Sequence, residues 1–213
     1  MYEIRRRFVM GYVIGIDFDN TIVRYDRVIY DAALERGLIA YTTPRSKRTV
    51  RDHIRKLHDG ENEWQRLQSW VYSDGLERAS LYEGFAEFAR TAREAGARLF
   101  VISHKTERAR FAPEQNLREL ALSWMSRQGF FDRNGLGFAR DEIFFHDDRL
   151  AKISRITGVG CTHFIDDLVE VLTEPSFPRS VDRMLFAPHD AAAQLDGVTA
   201  FSSWAGITRG LFR

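Results

Sequence analysis

The run Val13-Ile14-Gly15-Ile16-Asp17-Phe18-Asp19-Asn20-Thr21-Ile22 constrains this chain more than any other stretch. It is apolar and β-rich up to Ile16, then meets two carboxylates one residue apart. Alternate side chains of a strand share a face, so Asp17 and Asp19 converge on one small volume if that spacing persists past the strand end. Converging carboxylates repel each other unless a proton or a cation lies between them. A hard divalent cation such as Mg²⁺, with its oxygen ligands, meets that need. The pattern predicts a metal-dependent carboxylate site at the C-terminal end of a buried strand, the place where open α/β sheets bind ligands.

Four further short runs, apolar, β-branched or aromatic, read as buried strands. Together with residues 12–17 they are residues 99–103, 143–146, 162–165 and 184–187. Helical patterns separate most of them. Residues 83–95 place Phe85, Phe88, Ala89 and Ala92 on one face, with Gly96 as a stop. Residues 116–128 do the same with Leu117, Leu120, Ala121, Trp124 and Met125, and residues 148–156 form a shorter helix ending before Gly158. Strand–helix alternation implies an α/β fold, a three-layer, Rossmann-like parallel sheet of about five strands. Residues 24–80 break the rhythm: no strand is evident, and helices are expected over 26–40, 50–58 and 63–72. The division is then a core of residues 1–23 and 81–213 with a helical cap inserted over 24–80, directly above the carboxylates.

A length of 213 residues suits one domain with an insertion, and 44% apolar residues suffice for a packed core. A net charge of +1 gives no bulk field that would steer the chain to nucleic acid or a membrane surface. No stretch approaches a transmembrane length. The single cysteine, Cys161, lies in an apolar stretch and reads as core; its solitude excludes an internal disulfide framework and suits a reducing, cytoplasmic compartment. Arg5, Arg6 and Arg7 before an apolar run mimic a signal peptide, but the run stops at Asp17 with no small-residue cleavage site, so they read as a solvated tail.

The other strand ends also carry chemistry. The second strand leads into Ser103-His104-Lys105-Thr106, and the fourth ends at Asp166-Asp167, with Lys152 on the helix before it. With these residues in place the chain resembles the haloacid dehalogenase (HAD) superfamily. Asp17, Asp19 and Thr21 match its first motif, Ser103 its second, Lys152 its third, and Asp166 with Asp167 its fourth, in order over about residues 12–187.

The resemblance implies a phosphatase mechanism. Asp17 attacks a phosphate monoester and becomes an aspartyl-phosphate. Asp19 protonates the leaving oxygen and then activates water. Mg²⁺ is held by Asp17, the backbone carbonyl of Asp19, and Asp166, Asp167 or both. Ser103 hydrogen-bonds a phosphoryl oxygen, Lys152 neutralises charge at the nucleophile, and Thr21, His104 and Lys105 join Ser103 as substrate-side residues. Lys105, directly after Ser103, rivals Lys152 for the phosphate-site role; only 14 positions separate Lys152 from Asp166, shorter than in many family members.

Several residues have plainer readings. His146-Asp147-Asp148 reads as a strand end and turn, with Asp148 capping the next helix. His53 and His58 are five apart, the wrong spacing for a metal shared on one helix face. Arg45, Lys47, Arg48, Arg51, Arg55 and Lys56 form either a solvated helix face or a contact with an anionic substrate. Trp64, Trp70 and Tyr72 are cap core or a stacking wall. The sequence thus favours a phosphatase for a small phosphorylated metabolite. The alternatives are a phosphotransferase or mutase of the same superfamily and a catalytically silent binding or regulatory module. Asp19 argues against a dehalogenase, which needs no acid there.

Overall fold

The computed structural model describes residues 11–189 and 195–212; Arg5, Arg6 and Arg7, the expected solvated tail, lie outside the described residues. In chain order the strands are β1 (Val13–Ile16), β2 (Val23–Arg24), β3 (Ser80–Leu81), β4 (Arg98–His104), β5 (Ile143–His146), β6 (His163–Asp166), β7 (Asp182–Phe186) and β8 (Val198–Phe201). The helices are α1 (Asp26–Glu35), α2 (Lys47–Ile54), α3 (Gly60–Tyr72), α4 (Phe85–Glu94), α5 (Leu117–Arg127), α6 (Arg149–Gly158), α7 (Val169–Leu172) and α8 (Trp204–Phe212).

Six strands form one sheet in the order β5-β4-β1-β6-β7-β8, and every pairing in it is parallel. The five expected strands are all present. The sixth, β8, is an edge strand whose Val198, Ala200 and Phe201 are half-buried, so its apolar pattern is weak. Both faces of the sheet are covered, which is why its strands read as continuous apolar runs. In β4, Leu99 and Val101 join the larger core cluster while Phe100 and Ile102 join the smaller one on the other face. Gly15 in β1 marks a close approach: a Cβ there would lie 2.6 Å from Phe164 Cδ2 and 2.9 Å from Cys161 Sγ.

Caps fix the helices that carry site residues. Asn116 accepts from the amides of Arg118 and Glu119 at the start of α5, and Asp148 accepts from Ala151 N at 2.7 Å at the start of α6. The expected helix over 26–40 stops at Glu35 instead. Gly37, at φ 68°, donates to Leu34 O, and Leu38 N donates to Ala33 O, a terminating arrangement that needs a left-handed residue. The helix expected over 50–58 begins earlier, at Lys47, because Ser46 caps it by accepting from Thr49 N.

β2 and β3 pair antiparallel, Val23 opposite Leu81 and Arg24 opposite Ser80. The two ends of the intervening segment therefore leave the sheet side by side. α1, α2 and α3 pack on one another. Their buried Val28, Val50, Ile54, Trp64 and Leu67 belong to the same core cluster as Ile14 and Val101. Among the described residues no helix is long and apolar enough to cross a membrane.

Candidate active site

The sheet reverses its winding at β1, with β4 and β5 to one side and β6, β7 and β8 to the other. Ligands of open α/β sheets bind at such a switch, outside the strand C-termini. Asp17 follows β1 directly, Ser103 sits near the end of β4, and Asp166 ends β6. The Asp17 amide donates to Ile165 O at 2.9 Å, which pins the first carboxylate beside the fourth motif. Asn20, at φ 64°, turns the chain sharply after Asp19, a conformation asparagine tolerates.

Four of the expected residues meet on one buried cluster. Ser103 Oγ donates to Asp17 Oδ1 at 2.9 Å, and Lys152 Nζ donates to the same oxygen at 2.6 Å. Lys152 also donates to Asp166 Oδ2 at 2.6 Å, while Asp166 Oδ1 accepts from Leu168 N. Among the described residues no hydrogen bond ends on Asp17 Oδ2, so one carboxylate oxygen is braced and the other accepts from no protein donor. Carboxylate oxygens of Asp17, Asp166 and Asp167 lie within 4.8 Å of one another. That is a hard, all-oxygen donor set, the chemistry a divalent cation such as Mg²⁺ requires. Both members of the acidic pair therefore fit the ion.

Asp19 faces a second cation. Lys105 Nζ donates to its two oxygens at 3.0 and 2.8 Å, and Tyr25 OH donates to Oδ1 at 2.7 Å. Lys152 and Lys105 are thus both site lysines, each on its own carboxylate: Lys152 on Asp17 and Asp166, Lys105 on Asp19. Asp17, Asp19, Ser103, His104, Lys105, Lys152 and Asp167 all line one cavity of about 400 Å³, a small-molecule size. His104 is exposed there, its Nε2 2.8 Å from Asp147 O. Thr21 stands apart: it is fully buried, off the cavity wall, and its hydroxyl donates to Asp167 Oδ1 at 3.4 Å. Sequence reasoning missed Tyr25, since a tyrosine six positions after Asp19 carries no spacing signal.

The plainer readings also find their places. Asp148 caps α6, and Asp147 pairs with Arg118 at 2.6 Å. Cys161 is buried in the smaller core cluster, and burial pushes its thiol up to about 12, which leaves it inert. Trp70 is held between Arg36 and Arg78 away from the cavity, whereas Trp64 and Tyr72 line it.

The charge balance of the cluster favours a bound cation. Burial pushes the Asp166 carboxyl up to about 6; Lys152 pulls it down and Asp17 adds to the rise. Asp167 is held well above the usual carboxylate range, first by burial and then by Asp166 and Asp17, against the pull of Lys47 and Lys152. Burial disfavours the Lys152 ammonium, but Asp166 and Asp17 outweigh it and raise its pKa. A carboxyl raised above its unfolded value of about 3.9 makes the metal-free folded chain bind extra protons. Its stabilising contribution is full below about pH 4 and lost as pH rises through about 6. A divalent cation has to displace those protons at low pH and relieves the repulsion at high pH. The rise in melting temperature on adding Mg²⁺ is therefore expected to be larger at about pH 7.5 than at about pH 5, in thermal scans at fixed ionic strength. An equal rise at both would contradict this charge balance.

No family model matches the chain, and no curated protein matches it. Solved structures do. A HAD-superfamily hydrolase from Ehrlichia chaffeensis is 15% identical, with 93% of this chain and 94% of that one covered and a TM-score of 0.54. The chain has the HAD fold. A HAD family hydrolase from Deinococcus radiodurans, solved with bound phosphate and sodium, is 16% identical over 93% of this chain and 94% of its own, with a TM-score of 0.53. A dehalogenase solved with an intermediate complex is 12% identical over 94% and 97%, with a TM-score of 0.57. The HAD fold accounts for the switch at β1 and the three strand ends that meet there.

Proposed function

We propose that the chain is a Mg²⁺-dependent phosphatase that hydrolyses a small phosphate monoester through an aspartyl-phosphate on Asp17. The observation that carries this reading is the pairing of two acids on one cavity wall: Asp17 braced by Ser103 and Lys152, and Asp19 held separately by Lys105 and Tyr25.

In the first step an Asp17 oxygen attacks phosphorus, the phosphorus–ester oxygen bond breaks, and the Asp19 carboxyl gives its proton to the leaving oxygen. In the second, Asp19 takes a proton from water, the water oxygen attacks phosphorus, and the bond to Asp17 breaks. Lys105 and Tyr25 hold the Asp19 carboxyl in place for both steps. Asp17, Asp166 and Asp167 would hold the metal, which when bound neutralises charge between the carboxylates and the phosphoryl oxygens. Lys152 orients Asp17, and Ser103 is placed to pass its hydroxyl from Asp17 to a phosphoryl oxygen. Thr21 orients Asp167 from behind.

In this reading residues 24–80 are a helical cap over the site. Its support is the β2–β3 stem and the cavity wall supplied by Lys47, Arg51, Trp64 and Tyr72. A covered pocket excludes water and favours small substrates over macromolecular ones. The lone buried thiol of Cys161 accords with a cytoplasmic setting. Dehalogenation on the same fold is less well served, because halide departs without a proton and gives the Asp19–Lys105–Tyr25 group nothing to do.

Asp19→Asn is the variant that tests the route. The first step is expected to proceed slowly with an activated aryl phosphate, and the second to slow by about 10²–10⁴-fold, so phosphorylated Asp17 accumulates. Intact-mass and peptide mass spectrometry after acid quench would find the adduct on Asp17. Full turnover in Asp19→Asn, or an adduct on another residue, would contradict the assignment.

A further inference from the structure

We infer that the substrate carries a second anionic group, besides the phosphoryl group presented to Asp17, and that Lys47 and Arg51 bind it. The identity of the first group rests on the phosphatase reading. Lys47, Arg51 and Arg55 recur every fourth residue along α2 and its C-cap, so they share one face. All three line the cavity that holds Asp17 and Asp19, and Arg149 lines it as well.

The two lysines at the catalytic carboxylates are already engaged. Lys152 is bonded to Asp17 and Asp166, and Lys105 to Asp19. Of the α2 cations, Lys47 also faces Asp167, and Arg51 stands with it on the same cavity wall. The guanidiniums do have acidic neighbours: Arg51 pairs with Asp52 at 2.8 Å, Arg55 with Glu61 at 2.7 Å and Arg149 with Glu174 at 3.3 Å. These pairs are partly exposed; Arg51 places Nε and one NH2 group on Asp52, and with five N–H donors per guanidinium it keeps others for a ligand. Lys47 Nζ donates to Tyr72 OH at 3.3 Å, which aims the ammonium across the cavity.

Position sharpens the assignment. A second cavity of about 650 Å³ adjoins the first, and Lys47 and Arg51 line both. They stand at the junction with Asn20, Asp167 and Leu168, and in this proposal the part of a substrate remote from its scissile phosphate extends past them into the second cavity. A carboxylate or a second phosphoryl group there meets two cations with hydrogen-bond donors.

The test is equilibrium binding, which needs no turnover. Calorimetry in Mg²⁺ would compare propylphosphonate, propane-1,3-bisphosphonate and 3-phosphonopropanoate on the wild type, Arg51→Gln, Lys47→Met with Arg51→Gln, and Arg27→Gln. Arg27 is a surface charge outside this cavity and controls for net charge. The wild type is expected to bind at least one doubly anionic probe about tenfold or more tighter than propylphosphonate. Preference for the bisphosphonate names a phosphoryl group, and preference for the phosphonopropanoate names a carboxylate. Arg51→Gln should lose part of the preference and the double variant nearly all of it, read as the ratio of doubly anionic probe to propylphosphonate affinity within each variant, with the Arg27→Gln ratio unchanged. Equal binding of all three probes by the wild type, or a preference that survives in the double variant, overturns the inference. Failure of every ester to be hydrolysed would remove the phosphatase reading and leave this binding difference standing.

Discussion

Asp17→Asn is expected to abolish turnover, by about four orders of magnitude or more, in a protein that stays folded. The loss is large because the substitution removes the attacking oxygen itself, and neither Asp19 nor Asp166 is braced in its place. The fold survives for an electrostatic reason. Three carboxylates, Asp17, Asp166 and Asp167, crowd near one ammonium, Lys152. Removing one negative charge lessens their repulsion, Asp166 keeps its bond to Lys152, and the new amide oxygen still accepts from Ser103 and Lys152. Chemical denaturation should give a midpoint equal to or above that of the metal-free wild type. Wild-type turnover, or an unfolded variant, would contradict this account of Asp17.

Lys152→Met is expected to have the largest effect on stability, a loss of about 3–5 kcal/mol in the metal-free protein. Lys152 is 1% exposed and donates at 2.6 Å to two carboxylates that are themselves buried. Its removal leaves Asp17 and Asp166 facing each other without a cation. Two companion measurements separate this cause from lost packing. Mg²⁺ should restore part of the loss, because it supplies positive charge to the same carboxylates. Adding Asp166→Asn to Lys152→Met should restore part of it as well. Urea unfolding that places Lys152→Met within about 0.5 kcal/mol of wild type would show that the cluster is not held by this ammonium.

The parts of the site carried by strand ends were legible because a buried parallel strand has one reading: an apolar run whose polar terminus has to be functional or capped. Asp17, Ser103 and Asp166 follow from that logic, and Asp148 as a cap follows from its place before a helical pattern. Legibility fell where tertiary geometry decides. The roles of Lys105 and Lys152 could not be separated by order in the chain, because they reach different carboxylates from a strand end and from a helix. Tyr25 gives no local signal, since its partner Asp19 is brought to it by a turn at Asn20. Thr21 matches the first motif, yet points behind the carboxylates to Asp167. The helices of 24–80 were placed in order, but with shifted ends, because Ser46 and Gly37 set those ends through caps that periodicity does not register. The edge strand β8 was missed for the opposite reason: with one face half-exposed it has little apolar pattern to read. The basic face of α2 was visible as a charge run, and only the fold shows that it looks into the cavity.

Phosphate release by the wild-type protein is the most direct test of the central claim. It would be measured against sugar phosphates, nucleotides and small phospho-acids, in Mg²⁺ and in EDTA, with Asp17→Asn as the blank. Release is expected from at least one ester; it requires Mg²⁺, stops in EDTA and is absent in Asp17→Asn. Release that persists in EDTA or in Asp17→Asn, or no release from any ester in Mg²⁺, would contradict that claim.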